Sequence, residues 1–245
     1  MKRIYCLLKI LDEREHAECF ARGCIKLGSL KSYMEYENSH GGMRGDQFEG
    51  LSQWLHPDRT EIEIAGHKLN PDDIVGPVAL QDSRVLEQHA LCLYAITNGD
   101  WDQISEDQVD RFKASLAIHR SNFGLGKYCV VITNSQEFIA RIETALMEKC
   151  YRIARGLVEY FNEHEFHGSL DAEKVGFYKR SAYEVQSEYR FLVDSDVSAE
   201  SPFWLEVGDL SDITMIMTPE EFNENLEVNF HAQQGHAADA PSSRG

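Results

Sequence analysis

The sequence predicts a single α+β domain, a central mixed or antiparallel sheet flanked by helices, over residues 1–231, with a flexible tail over 232–245. Three observations carry this. The chain has 245 residues, enough to bury one sizeable core without disulfide or metal staples. Its content of 42% hydrophobic and 10% aromatic residues is that of an ordinary globular protein rather than a disordered or fibrous one. Short apolar or alternating runs, the mark of strands, are interspersed with segments of helical period that carry capping signals.

Taken in order, Arg3 to Ile10 is the first expected strand. Asp12 with Glu15 supplies a capping box for a short helix carrying Ala17 and Phe20, and Gly23 is placed to stop it. Cys24 to Leu27 is a second short strand, and Leu30, Tyr33 and Met34 share one face of a helical turn beginning at Ser29. From Asn38 to Gly50 four glycines and no sustained period predict a loop of the kind that borders sites. Thr60 to Leu69 reads as a surface hairpin turning at Ala65-Gly66-His67, and Pro71 to Pro77 as a connector.

His89 to Thr97 is a continuous apolar run ended by Asn98-Gly99-Asp100, which predicts a buried strand. Ser105 and Gln108 form a capping box before a helix with Val109, Phe112 and Leu116 on one face. Gly124-Leu125-Gly126 is a turn; it precedes a strand and lacks the spacing of a phosphate-binding loop. Tyr128 to Thr133 is a central strand. A helix starts at Asn134 or Ser135, with Phe138, Ile139, Ile142, Ala145 and Leu146 as its core stripe. Cys150 to Phe161 is expected to be extended and Lys174 to Lys179 helical. Strands follow at Glu188 to Val193, Phe203 to Val207 and Ile213 to Met217, and Thr218-Pro219-Glu220-Glu221 opens the last helix.

Charge narrows the function. With 41 acids against 24 bases the formal net charge is −17, which repels a phosphate backbone at long range and disfavours broad, nonspecific nucleic-acid binding. Lys149, Arg152 and Arg155 cluster locally, and a solvated face explains them best. The six cysteines are scattered, without a CxxC pair, and no apolar span approaches membrane length. The expectation is therefore a reduced, cytoplasmic protein without a membrane partner.

Chemistry-bearing residues fall in a few places. In Tyr183 to Val193, period-two geometry sends Tyr189, Phe191 and Val193 to one face and Glu188 with Arg190 to the other. Two readings stand side by side, a salt-bridged exposed edge and a catalytic glutamate beside Gln186 in a Q-x-E arrangement. Arg44, Asp46 and Glu49 lie close together in the glycine-rich loop and can surround a ligand with one cation and two carboxylates. His164 and His167 lack the i, i+4 spacing of a helical zinc motif, and no metal site is expected.

Gln186-Ser187-Glu188-Tyr189-Arg190-Phe191-Leu192-Val193 resembles the glutamate-bearing strand of the DarT group of DNA ADP-ribosyltransferase toxins, and the opening Arg3-Ile4-Tyr5 with Gly23 to Leu27 is similar to their entrance. More of the chain, most of residues 20 to 195, is similar to an uncharacterised bacterial domain family often encoded among phage-defence genes. That similarity rests on Ile25 to Ser29, Asp46-Gln47-Phe48-Glu49, Leu91 to Ala95, Phe123-Gly124 to Ile132, Phe177-Tyr178-Lys179 and Glu184 to Arg190. The resemblance implies an ADP-ribosyltransferase-like fold and a site that gathers Asp46, Glu49, Lys179, Glu188 and Arg190.

The leading expectation is a toxin or defence effector that transfers ADP-ribose from NAD to a macromolecular acceptor, protein or nucleic acid. Glu188 is the catalytic carboxylate, Gln186 orients the acceptor, Tyr5 and Tyr33 stack on nicotinamide, and Arg44 or Arg190 pairs with the pyrophosphate. Tyr5 and Cys6 stand where such a transferase offers a histidine or arginine from its first strand. The rivals are a non-catalytic acidic protein that binds or inhibits a basic partner, and a metal-dependent nuclease built on Asp46, Glu49 and Glu188.

Overall fold

The computed structural model describes residues 2–40 and 45–229. Arg44 and the expected tail over 232–245 lie outside them. The first third of the chain runs β1 (Ile4–Leu11), α1 (Arg14–Ala21), β2 (Cys24–Ser29), α2 (Leu30–His40), β3 (Leu51–Leu55), the hairpin β4 (Glu63–Ile64) and β5 (His67–Lys68), and β6 (Val78–Gln81). The middle supplies one helical turn, α3 (Ser83–Leu86), then β7 (His89–Thr97), α4 (Val109–Leu116), β8 (Tyr128–Ile132) and α5 (Ser135–Glu148). The remainder is β9 (Arg152–Leu157), β10 (Glu159–Phe161), β11 (Gly168–Ser169), β12 (Tyr178–Arg180), β13 (Glu188–Asp194), β14 (Phe203–Glu206), β15 (Thr214–Met217) and α6 (Pro219–Asn225).

Eight strands make the main sheet, and every pairing in it is antiparallel. β7 is its spine. One edge of β7 pairs with β13, which in turn pairs with β9. The opposite edge is shared: β2 takes His89 and Ala90, while β1 takes Tyr94 to Thr97. Between them, Leu91 to Leu93 have no strand partner on that side, so the sheet is split there into a β1–β8–β15 wing and a β2–β14 wing.

Alternation along the spine assigns the faces. Leu91, Leu93 and Ala95 of β7 and Tyr189, Phe191 and Val193 of β13 face a core closed by Ala17 and Phe20 of α1 and by Phe138, Ile142 and Leu146 of α5. Each such large apolar side chain contributes about 1.5–3 kcal/mol when fully buried. On the opposite face, Leu8, Ile96 and Val131 pack with Phe112 and Leu116 of α4, and Leu30, Ala90, Phe177 and Leu192 form a third cluster.

Local signals located most elements. The capping box at Ser105 and Gln108 forms, as does the one at Thr218 and Glu221, and the Asn134 side chain accepts from Glu137 N to start α5. The hairpin turns where expected, with Ala65 and Gly66 both at positive φ. Three readings change. Glu13, not Asp12, is the N-cap of α1, and its side chain makes no capping bond. The expected loop from Asn38 begins as helix, because α2 continues to His40. The expected helix over Lys174 to Lys179 is a 3-10 turn, Ala172–Lys174, followed by strand β12, whose parallel pairing with β10 outweighs the local preference.

Candidate active site

β13 positions the site because it lies between β7 and β9 rather than at an edge. Its outward-pointing Glu188 and Arg190 therefore enter protein, not water: Glu188 is 5% exposed and Arg190 0%. The exposed-edge reading is overturned. A 3-10 turn, Ser181–Gln186, leads into the strand, and Ser187 at φ 41° reverses the chain just before Glu188, with its hydroxyl donating to Ala95 O at 2.7 Å.

Four buried charges interlock there. Arg190 grips both oxygens of Glu49 (2.7 and 2.9 Å), donates through Nε to Glu188 Oε1 (2.6 Å), and reaches Gly176 O (2.6 Å). Lys179 of β12 donates to Glu188 Oε2 (2.7 Å) and Gln186 Oε1 (2.9 Å) and lies 3.6 Å from Glu49. Two carboxylates thus face two cations, and the cluster is neutral as a unit. Such bidentate, charge-assisted contacts fix geometry as well as charge.

The protonation states follow from these contacts. Burial alone would raise the Glu188 carboxyl, but the charges of Arg190 and Lys179 outweigh it and hold the group well below the usual carboxylate range. Burial likewise opposes the charge on Lys179 and Arg190, and the facing carboxylates of Glu188 and Glu49 reverse that, so both are raised. The neighbouring Cys92 thiol is pushed up to about 12 by burial, with Glu188 adding to it, and is a neutral thiol at physiological pH. Glu188 is thus a permanent anion. It can accept hydrogen bonds and stabilise a positive charge, and it cannot donate a proton near neutrality.

Glu188 also lines a cavity of about 720 Å³ that occupies the split in the sheet. Glu49, Lys179, Gln186 and Tyr33 line it too, together with Lys9 and Cys92. Lys9 spans the split, its ammonium donating to Cys92 O at 2.9 Å where an unbroken sheet would supply a strand. Tyr33 is anchored by its hydroxyl to Ala90 O at 3.2 Å, and burial raises its phenol.

No family model, curated protein or solved structure matches the chain.

Of the residues singled out from the sequence, Glu49, Lys179, Gln186, Glu188 and Arg190 come together. Asp46 is not part of this cluster and does not line the cavity. It is fully buried, its Oδ1 is 3.1 Å from Arg180, and that guanidinium stacks over Phe48 at 4.6 Å. Tyr5 is elsewhere: half-exposed, it meets Phe112 edge-on at 6.3 Å and does not line the cavity, because a bulge between Ile4 and Cys6 turns it toward α4. Arg190 does not fill the pyrophosphate role, since its guanidinium is spent on two carboxylates and a carbonyl away from solvent. Arg44 lies outside the described residues. Glu49 and Glu188 are both engaged by Arg190, and among the described residues no group of three or more His, Cys, Asp or Glu is placed to hold a metal.

Sequence reasoning passed over Lys9, Arg180, Tyr160 and Trp204. Lys9 had a signal, a lone cation inside the apolar run Ile4 to Leu11. Tyr160, whose hydroxyl accepts from Glu188 N at 2.9 Å, had none. The clustered Arg152 and Arg155 are ion-paired to Asp194 and Glu143 on the surface, as the solvated-face reading expects. Among the described residues, no helix is long and apolar enough to cross a membrane.

Proposed function

We propose that this chain is an ADP-ribosyltransferase-like enzyme that uses NAD as substrate and acts in the cytoplasm as a toxin or defence effector on a macromolecular acceptor. The observation that carries the reading is Glu188: an obligate carboxylate anion, fixed on both oxygens, facing a cavity at the break in a sheet. When the glycosidic bond to nicotinamide breaks, the electron pair leaves with the nicotinamide nitrogen and positive charge develops over the ribose C1′ and ring oxygen. A preorganised carboxylate lowers that barrier at short range, chiefly by accepting from a ribose hydroxyl, since Lys179 and Arg190 already balance its charge. The acceptor nucleophile then bonds to C1′ and loses its proton to solvent or to a neighbouring base. Gln186, held by Lys179 beside Glu188, is the positioning residue for that acceptor. Tyr33 remains a candidate wall for nicotinamide, and Tyr5 is withdrawn from that role.

Incubating the protein with NAD labelled in the adenylate portion and a bacterial extract tests the reading. Wild-type protein should leave label on a macromolecule, and Glu188→Gln should reduce the rate by about 100-fold or more, the scale of losing one transition-state electrostatic partner. Absence of both transfer and nicotinamide release, with the protein folded, removes the enzyme reading and leaves the acidic binding protein, whose −17 net charge favours a basic partner.

A further inference from the structure

Arg190 is sealed among Glu49, Glu188 and Gly176, and other cations of the cavity wall are placed to meet a substrate's phosphates. Two lysines beyond the ionic cluster line the same cavity. Lys9 projects from β1 across the split. Lys26 lies on β2, whose Ile25 and Leu27 face the core, so period two turns Lys26 to the opposite side. Directly across the β2–β14 ladder from Lys26 is Trp204, and the ammonium sits 5.8 Å from the indole centroid. Trp204 is 49% exposed, a large aromatic face left in water at the cavity wall.

Among the remaining ionisable groups, Glu200 also lines this region and is ion-paired with Lys31, while Asp12 and His16 lie at the end of β1 and on α1. The cavity thus has two chemically different ends. One is the neutral quartet at Glu188, with Lys9 beside it at Cys92; the other pairs the Trp204 plate with Lys26. A molecule with a net charge of −17 repels polyphosphates at a distance, so lysines inside a concavity are what permits one to dwell.

We infer that the wall formed by Lys9, Lys26 and Trp204 binds a nucleoside diphosphate, with the base stacked on Trp204 and the diphosphate between Lys9 and Lys26. Stacking on an exposed indole is tolerant of base identity, and each ammonium presents a compact charge to phosphate oxygens. Within the function proposed above, this wall holds the ADP half of NAD and leaves the nicotinamide ribose at the Glu188 end. The assignment shares its substrate with that reading, but binding of ADP involves no glycosidic bond and is measured without turnover.

The experiment is a titration of the full chain with ADP, followed by calorimetry and by tryptophan fluorescence. Saturable binding is expected, with fluorescence quenching that disappears in Trp204→Phe. Adenosine and inorganic phosphate, each lacking half of the ligand, should bind at least about tenfold more weakly than ADP. Lys26→Ala and Lys9→Met should each weaken ADP by about tenfold, the scale of losing one charge-assisted contact. Lys26 is exposed, so its variant keeps the test decisive should Lys9→Met fail to fold. The inference is overturned if ADP does not bind at millimolar concentration, or if folded Lys26→Ala binds it as wild type does. NAD turnover without ADP binding would sink this assignment alone; lysine-dependent ADP binding without turnover would sink the enzyme reading alone.

Discussion

At the scale of single residues, the site is a problem in charge neutrality. Each of Glu49, Glu188, Lys179 and Arg190 is nearly inaccessible, and each is tolerable only because the others face it. Arg190→Met should therefore destabilise the protein by about 3–5 kcal/mol, chiefly by stranding two buried carboxylates, as read from urea unfolding. The pH dependence follows from the shifts. Glu188 titrates lower in the folded protein than its ordinary value of 4.5, so its contribution is present above that value and is lost as pH falls through the folded pKa. Lys179 titrates higher than 10.5, so its contribution is present below that value and is lost as pH rises through the folded pKa. Melting temperature measured against pH should show no loss from this pair between 4.5 and 10.5, and Glu188→Gln should be less sensitive to acid below the lower limit than wild type.

At the scale of elements, turns decide how the strands meet. Gly23 ends α1 at φ +88°, and a Cβ there would lie 1.7 Å from Gly208 O, so the α1–β2 corner and the chain after β14 are in backbone contact. Gly23→Ala combines a left-handed backbone with a collision that no side-chain rotation relieves. It should cost more than about 2 kcal/mol and lower the thermal midpoint by several degrees. The same scale explains what could be read from the sequence. Helices α5 and α6 were legible because an Asn or Thr cap and a 3.6-residue stripe are local facts. β12 was not, since Tyr178 to Arg180 are extended by pairing with β10, about one and a half dozen residues earlier, and only three residues long. β3 and β6 are short and unpatterned, and β3 is held by pairing with β6 on one edge and β11 on the other, so they passed unnoticed.

At the scale of the whole molecule, charge and topology act together. Surface pairs such as Arg141 with Asp212 sit in water and are screened by salt, whereas the buried quartet is not. The dominant effect of salt should be relief of the self-repulsion of a −17 chain. Raising sodium chloride from about 0.05 to about 0.5 M, where the screening length falls well below 10 Å, should raise the melting temperature; a fall would mean that exposed ion pairs outweigh net repulsion. Topology is also why the site was only half legible. That Glu188 and Arg190 share a face follows from alternation within one strand, but that Glu49 clamps Arg190 depends on contacts between segments 141 positions apart. Glu188 and Arg190 were legible within one strand, whereas Glu49 and Lys179 joined them only through the resemblance and not through any local signal.

The division of one β7 edge between two strands leaves the Cys92 carbonyl served by a side chain in place of a peptide N–H. A lysine can swing away where a strand cannot. Any guest that draws Lys9 toward itself takes a proton donor from that oxygen, and the guests held most tightly will be those able to return one.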